Sequence, residues 1–179
     1  MKKILFALFM TAIFLNINQT ALAQNVDIIP GSLNNNNNLS VAETLSSSND
    51  FHCFSQLLQC SGLAKTLKGR GPYTVFAPSD AAFAKLPQGT VQRLMCPQNK
   101  GQLNRFIRYH IVKDPLSCKD IASSPSIRTS DGRCITVFKG CNQLCLDHAR
   151  VEQTNICAKN GLIHVVQDVL LPGGFMNLT

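Results

Sequence analysis

The sequence is poor in the side chains that usually build ligand-binding sites. It has no tryptophan, two tyrosines, and only two glutamates, Glu43 and Glu152, among ten acidic residues. Aromatic rings stack on sugars and bases, and a glycosidase needs a pair of carboxylates. We therefore predict no sugar-stacking platform, no nucleic-acid partner and no glycosidase site.

Motifs of common enzymes are also missing from the sequence. No G-x-S-x-G, no H-E-x-x-H and no phosphate-binding glycine loop occurs in the 179 residues. We expect a protein without enzymatic activity, without a cofactor and without a resident metal ion.

The one long apolar run lies at the start of the chain. Lys2 and Lys3 precede the mainly apolar residues 4–15, and Ala21-Leu22-Ala23 provides a small-residue cleavage site. This order is typical of a secretory signal peptide. The run is too short to span a bilayer, and no later run is long and apolar enough to do so. We predict a secreted protein, periplasmic or extracellular, with no transmembrane segment.

The predicted cleavage leaves one domain of ordinary size. We assign residues 1–23 to the signal peptide, 24–38 to a flexible asparagine-rich leader, 39–173 to the domain and 174–179 to a short C-terminal tail. Cleavage removes two of 17 basic residues and none of ten acidic ones, so the net charge becomes 15 − 10 = +5. Dispersed basic charge favours an acidic partner such as an anionic polymer, and it is also expected of any protein that must stay soluble.

The cysteine content indicates disulfides. An even number of cysteines in an exported protein predicts a disulfide-stabilised domain. We predict the pairs Cys96–Cys118 and Cys134–Cys145, the second because a turn at Lys139-Gly140 would set its two members opposite each other in a hairpin. The eight cysteines are Cys53, Cys60, Cys96, Cys118, Cys134, Cys141, Cys145 and Cys157.

A second interpretation gives some of these cysteines a chemical role. Cys141, Cys145 and His148 could seed a zinc site with Cys134 or Cys157. The alternative function is therefore a periplasmic cysteine-rich protein in which residues 134–157 bind a metal or exchange disulfides. Cys145, Asp147 and His148 also offer a thiol, an acid and an imidazole, but catalytic groups meet in space rather than as sequence neighbours. Because exported cysteines more often oxidise, we favour disulfides.

Hydrophobic periodicity predicts helices mainly in the first half of the domain and an antiparallel sheet mainly in the second. This pattern belongs to the α+β class. Ser40 starts a capping box for the first helix, and Asn49 or Asp50 can cap the second. Beyond Pro115 the periodicity becomes that of strands, and Asn160-Gly161 predicts a tight hairpin turn.

The stretch YTVFAPSDAAF, residues 73–83, predicts a joint between a strand and a helix. Pro78 blocks continuation of the strand ladder. Ser79 can cap the following helix, and Asp80 falls where the helix dipole favours an anion. Phe83 then lies on the apolar face of that helix.

Two histidines lie within apolar patterns. His110 continues a helical apolar stripe in RFIRYHIV, and His164 lies inside the apolar strand LIHVV. We predict buried, neutral imidazoles held by backbone or hydroxyl partners. The alternatives are a paired general base, a metal site, or a hydrolase that uses either ring.

Three stretches, in this order and spacing, together resemble the fasciclin domain family. They are YTVFAPSDAAF, RFIRYHIV with its Tyr-His pair, and NGLIHVVQDVLLP, and the similarity covers residues 39–172. The resemblance implies a compact β-wedge or sandwich with several short helices packed around it. It also implies that the boxes pack in the core as structural motifs, through Tyr73, Phe76, Pro78, Phe83, Tyr109, His110, His164 and Pro172.

The resemblance further implies cell adhesion or extracellular-matrix interaction rather than catalysis. The sequence lacks the acidic Pro-Asp-Ile segment of some animal integrin-binding members, so integrin binding is not carried over. We predict a non-enzymatic binding module for a cell-surface or extracellular protein or an anionic polymer, with weak self-association. Its binding surface is expected in the segment Lys139–Arg150, since loops on a rigid scaffold usually carry binding. Asn38 and Asn177 match the glycan acceptor pattern, which matters only in a eukaryote.

Overall fold

The computed structural model describes residues 38–140 and 143–173. The predicted signal peptide, all but the last residue of the predicted leader, the residues after 173, and Cys141 lie outside the described residues. Within the described ranges the chain forms seven α-helices and seven strands, which confirms the predicted α+β class.

Short helices occupy most of the first half of the described chain, and strands most of the second. The α-helices are α1 (Val41–Ser47), α2 (His52–Ser61), α3 (Ala64–Lys68), α4 (Asp80–Ala84), α5 (Thr90–Met95), α6 (Lys100–Tyr109) and α7 (Cys118–Ser123). The strands are β1 (Tyr73–Pro78), β2 (Ile111–Val112), β3 (Ser126–Arg128), β4 (Cys134–Lys139), β5 (Leu144–Leu146), β6 (Ala149–Ala158) and β7 (Gly161–Val166).

Serine side chains begin three of these helices. Ser40 forms the predicted capping box at the start of α1, and Ser79 caps α4 as predicted. Ser117 forms a further capping box with Asp120 and begins α7. The sequence pattern predicts only strands beyond Pro115, and this prediction is wrong for α7. The capping box at Ser117 stabilises a helix there despite the strand pattern.

The start of α2 also differs from its prediction. Neither Asn49 nor Asp50 caps this helix, because residues 49–51 form a separate 3₁₀ turn. The carboxylate of Asp80, at the start of α4, instead accepts the backbone N–H groups of the first two residues of α2, at 3.1 and 2.8 Å. A carboxylate at this position satisfies donors that the helix leaves unpaired. The joint at β1 and α4 therefore also holds α2.

One sheet carries all seven strands, in the order β2-β1-β7-β6-β5-β4-β3. Neighbouring strands run antiparallel, except that β1 and β7 are parallel, with Tyr73 opposite Gly161 and Pro78 opposite Val166. The sequence predicts an antiparallel sheet, and this prediction is wrong for the pair β1 and β7. Parallel strands need a long crossover, which here consists of all the chain between the first and the last motif.

The predicted hairpin joins β6 to β7, but its turn lies at Lys159-Asn160, one residue before the predicted position, since Gly161 already pairs with Ala158. Asn160 in this turn bonds to α1 and to the end of α3. The Asn160 amide donates to the carbonyl oxygens of Leu67 and Gly69, at 2.8 and 2.6 Å. Its Oδ1 accepts the N–H of Val41 at 2.9 Å. Gly161 lies so close to β1 that any side chain at this position would collide with the backbone of that strand.

Each face of the sheet carries its own apolar cluster. The first cluster joins Val75 and Ile163 to apolar residues of α1, α2 and α6. The second cluster lies on the opposite face and joins Phe76 and Val166 to Ile121 of α7 and to apolar residues of β3, β4 and β5. Because successive residues of a strand point to opposite faces, both sides of the central β1–β7 pair are covered.

Candidate binding surface

The residues that the sequence motifs single out lie in the interior. Tyr73 is half-buried. The other seven are buried, namely Phe76, Pro78, Phe83, Tyr109, His110, His164 and Pro172. Buried side chains cannot contact a partner directly, so any binding surface must be built from other residues.

His110 is fully buried directly after α6. Its Nδ1–H donates to the carbonyl oxygen of Phe106 at 2.9 Å, and its ring packs against those of Phe54 and Phe106, with ring centroids 5.6 and 4.6 Å away. Burial penalises the charged ring and lowers the pKa of His110 to about 4. No described residue bonds its Nε2. The imidazole is therefore a neutral part of the first cluster.

His164 is fully buried within the second cluster, next to the ring of Phe76. Its Nε2–H donates to the carbonyl oxygen of Leu116 at 2.9 Å, and its Nδ1 accepts the N–H of Asn155 at 3.4 Å. Burial lowers the pKa of His164 and outweighs the bond to Leu116, which favours the proton. Because the two imidazoles lie in different clusters, they do not form the paired site considered as an alternative.

The Tyr109 hydroxyl group reaches the turn between β5 and β6. It donates to Oδ2 of Asp147 at 2.7 Å, while Oδ1 of Asp147 accepts the N–H of Thr136 on β4 at 2.8 Å. Asp147 occupies the turn with a φ of 52°, in the left-handed region that aspartate tolerates. Burial, reinforced by the carboxylate, raises the pKa of Tyr109. Tyr109 and Asp147 thus fasten α6 to the outer strands.

Cys145, Asp147 and His148 do not assemble the thiol–acid–imidazole group considered from the sequence. Asp147 is engaged as described above, and Nε2–H of His148 donates to the carbonyl oxygen of Val169 at 3.1 Å. Cys145 lies on the outer face of β5, whereas its neighbour Leu146 points into the second cluster. The three side chains therefore contact different parts of the domain.

A row of side chains crosses the outer face of β4, β5 and β6, and we call it the outer row. It consists of Phe138, Cys145 and Arg150, in which Phe138 lies opposite Cys145 and Cys145 opposite Arg150. Paired residues of neighbouring strands point to the same face. Phe138 is 55% exposed and is the only large hydrophobic side chain so exposed among the described residues. Arg150 is also exposed.

Arg150 is the basic member of the outer row. Arg128 is exposed on the same face but lies opposite Cys134, about 13 Å along β4 from Phe138. Lys139 is exposed as well, but it follows Phe138 in the strand and points to the opposite face. The exposed acidic side chain on the adjoining part of β6 is Glu152. The outer row therefore combines an exposed aromatic ring with positive charge.

Two residues of the outer row, Cys145 and Arg150, belong to the segment in which the sequence predicts the binding surface. Phe138 lies one residue before that segment and is not among the residues predicted from the sequence. The signal that could have identified it is the alternation in β4, where Ile135 is buried, Val137 half-buried and Phe138 exposed.

Comparison with known proteins settles the family of the chain. The model of the fasciclin domain matches residues 49–172, a range that includes all three motif stretches. The chain belongs to the fasciclin domain family. The resemblance seen in the sequence is thereby confirmed.

Relatives of this fasciclin domain occur in bacteria and animals. Protein sll1483 of Synechocystis is 31% identical over 134 residues, which cover 75% of this chain and 74% of that protein. The transforming growth factor-beta-induced protein ig-h3 of Sus scrofa is 30% identical over 132 residues, which cover 74% of this chain but only 19% of that protein. Among solved structures, the FAS1 domain pair of the insect cell adhesion molecule Fasciclin I matches with a TM-score of 0.66 at 18% identity, over 75% of this chain and 51% of that one. This last likeness establishes the shared fold.

The predicted disulfide Cys134–Cys145 is wrong. In the fasciclin domain Cys145 lies opposite Phe138, and Cys134 lies opposite Arg128. Four residues of β4 separate Cys134 from Phe138, a distance of about 13 Å along a strand, whereas a disulfide needs Cα atoms within about 7 Å. The register differs because the hairpin closes between Gly140 and Gln143, where the N–H of Gly140 donates to the carbonyl oxygen of Gln143 at 2.9 Å, rather than at Lys139-Gly140.

The structure does not join Cys96 to Cys118, and this pair stays a prediction. The thiol of Cys96 donates to the carbonyl oxygen of Gln92 at 3.4 Å. The backbone N–H of Cys118 donates to Oδ1 of Asn155 on β6 at 2.9 Å. The structure joins none of the seven cysteines within the described ranges to another, namely Cys53, Cys60, Cys96, Cys118, Cys134, Cys145 and Cys157.

Among the residues that the structure describes, the cysteines of the alternative metal or thiol-exchange function do not converge. Cys134, Cys145 and Cys157 lie on three different strands, β4, β5 and β6. Within residues 38–140 and 143–173, no three His, Cys, Asp or Glu side chains are grouped so that they could hold a metal ion. None of the helices in the same two ranges combines the length and the apolar character that a membrane span requires.

Proposed function

We propose that this fasciclin domain is an exported, non-enzymatic binding module that uses the outer row to contact an acidic surface on a cell-surface or extracellular protein. The observation that carries the proposal is the exposure of Phe138 in one row with Arg150. Aromatic residues and arginine are enriched at the centres of protein interfaces. The excess of basic residues after the predicted cleavage, 15 against ten acidic ones, favours an acidic partner.

The positions of the motif residues also support a binding role. Both imidazoles are buried and bonded to backbone groups, and an acid–base residue must reach its substrate. The fold neighbour Fasciclin I is a cell adhesion molecule. Fold alone does not determine function, so the proposal depends on the outer row rather than on this likeness.

The test compares the full-length chain with two variants of the outer row, Phe138→Ser and Arg150→Ser. Each protein is immobilised, and retention of fluorescently labelled proteins from a cell-surface extract is measured at 50 and 200 mM salt. We expect each variant to retain roughly tenfold less than the wild type, which corresponds to about 1.4 kcal/mol of binding free energy. Only Arg150→Ser should also weaken the salt dependence, because it alone removes a charge.

The matched control is Lys65→Ser, which removes an equal charge from an exposed position on α3. A similar loss for Lys65→Ser and Arg150→Ser would contradict the proposal, since it would indicate a diffuse charge effect. Retention that survives protease treatment of the extract would assign the partner to an anionic polymer instead of a protein. Export is tested separately, by N-terminal sequencing of the protein recovered from the extracellular or periplasmic fraction.

A further inference from the structure

The segment that leads into α7 crosses one face of the sheet. The N–H of Leu116 donates to Oγ1 of Thr74 on β1 at 2.8 Å, and the carbonyl oxygen of Leu116 accepts Nε2–H of His164 on β7 at 2.9 Å. The N–H of Cys118 then donates to Oδ1 of Asn155 on β6 at 2.9 Å. These bonds carry the chain across β1, β7 and β6 in turn and place Cys118 above β6.

Cys157 lies on the same face of the sheet. It pairs with Leu162 of β7, and Leu162 pairs with Thr74 of β1. Because paired residues point to the same side, the Cys157 thiol faces the side that the segment before α7 covers. This thiol donates to the carbonyl oxygen of Asn155 at 3.5 Å. Cys157 is exposed, and Cys118 is half-buried.

Asn155 therefore contacts both cysteines, Cys118 through its side chain and Cys157 through its carbonyl oxygen. It has a φ of 59° and lies where the pairing of β6 with β7 shifts, between Gln153 and Ile156. An irregularity of this kind re-aims side chains that a regular strand would direct elsewhere. Asn155 thus holds the start of α7 beside Cys157.

We propose that Cys118 and Cys157 form an intramolecular disulfide that fastens α7 to β6. The oxidant is a low-molecular-weight or protein disulfide. The exposed thiolate of Cys157 attacks one sulfur of this disulfide, forms a mixed disulfide and releases one thiolate. The thiolate of Cys118 then attacks Sγ of Cys157 and releases the second thiolate. The chain gives up two protons and two electrons, and the oxidant ends as two thiols.

The disulfide closes a loop that contains β3, β4, β5 and most of β6. The outer row lies within this loop. The bond restricts the part of the chain that carries the outer row, although the inference itself does not depend on what that row binds.

The test is disulfide mapping of the full-length wild-type protein. The protein is equilibrated with a mixture of oxidised and reduced glutathione, free thiols are alkylated, and tryptic peptides are analysed by mass spectrometry without reduction. Trypsin releases Cys118 in residues 114–119 and Cys157 in residues 151–159, each as the only cysteine of its peptide. We expect these two peptides to be joined and to separate on reduction.

The mapping needs no variant, so it decides the question even where a substitution prevents folding. Recovery of both peptides in alkylated form, or a Cys118 peptide joined to the Cys96 peptide, would overturn the proposal. Cys118→Ser should leave Cys157 alkylated, whereas the matched change Cys96→Ser should leave the bond intact. Oxidation should also raise the unfolding temperature of the wild type by roughly 10 °C more than that of Cys118→Ser.

Discussion

Mild acid should destabilise this fasciclin domain through His110. Folding encloses the ring between Phe54 and Phe106 and lowers its pKa from 6.5 to about 4. Between these two pH values the unfolded chain binds a proton that the folded chain excludes, so the free energy of unfolding falls as the pH falls. The contribution of His110 is fully present above pH 6.5 and is lost progressively as the pH approaches 4.

The expected loss of unfolding free energy follows from the interval between the ordinary and the lowered pKa of His110. Each pH unit within it costs about 1.4 kcal/mol, so a decrease from pH 6.5 to 5 costs roughly 2 kcal/mol. The pKa of His164 is lowered as well, and its contribution has the same sign. Hydrogen bonds with Ser40 and Ser117 lower the pKa values of Glu43 and Asp120, so the stability that these carboxylates contribute is lost on the acid side of their ordinary values of 4.5 and 3.8. Against a typical total stability of about 5–15 kcal/mol, the loss is readily measured.

Urea unfolding followed by circular dichroism at pH 7, 6.5, 6, 5.5 and 5 provides the assay. His110→Asn keeps a side-chain N–H for the carbonyl oxygen of Phe106 and has no proton to gain. It should be less stable than the wild type at pH 7, because ring contacts are lost, yet its stability should fall by roughly 2 kcal/mol less between pH 6.5 and 5. His52→Asn, at an exposed position on α2, is the matched control. Equal pH dependence in His110→Asn and the wild type would refute the reasoning.

Two further predictions concern single hydrogen-bonding side chains. Asn160→Ala removes the three side-chain bonds that join the β6–β7 turn to α1 and to the end of α3, and it should lower the free energy of unfolding by about 2–3 kcal/mol. Urea unfolding measures this loss, and an equal loss in Lys159→Ala, at the exposed neighbouring position, would contradict it. Tyr109→Phe removes the hydroxyl partner of Asp147 and should cost about 1–2 kcal/mol. A double-mutant cycle with Asp147→Ala should give a coupling energy of about 1 kcal/mol, and a value near zero would show that this bond does not stabilise the fold.

Features that depend on a few neighbouring residues could be predicted from the sequence. The caps at Ser40 and Ser79 are present, and a hairpin joins β6 to β7 with its turn one residue before the predicted Asn160-Gly161. In each of these, a side chain or a turn conformation satisfies backbone groups within four residues of itself. The cap at Ser117 belongs to the same class and could have been found by the same reasoning.

Features that depend on distant residues could not be predicted in this way. The Asp80 carboxylate accepts the N–H of Cys53, 27 residues earlier in the chain. No residue near α2 in the sequence indicates which side chain supplies this carboxylate. The parallel pairing of β1 with β7 results from the packing of the helices between them onto both faces of the pair. The predicted register of the β4–β5 hairpin is wrong for a different reason. The sequence indicates both strands, but their register depends on where the turn falls, and Lys139-Gly140 alone does not specify that position.

The candidate binding surface was harder to predict than the motifs because the two obey different constraints. His110 and Tyr109 must each fit one enclosed environment, so their sequence context is strongly patterned. Phe138 has no such partner, and only the alternation of its strand distinguishes it from a core residue. If recognition depends on exposed residues of this kind, fasciclin domains with the same interior motifs can bind different partners. Replacing the outer row should then change what this domain binds while leaving its free energy of unfolding within about 0.5 kcal/mol of the wild type.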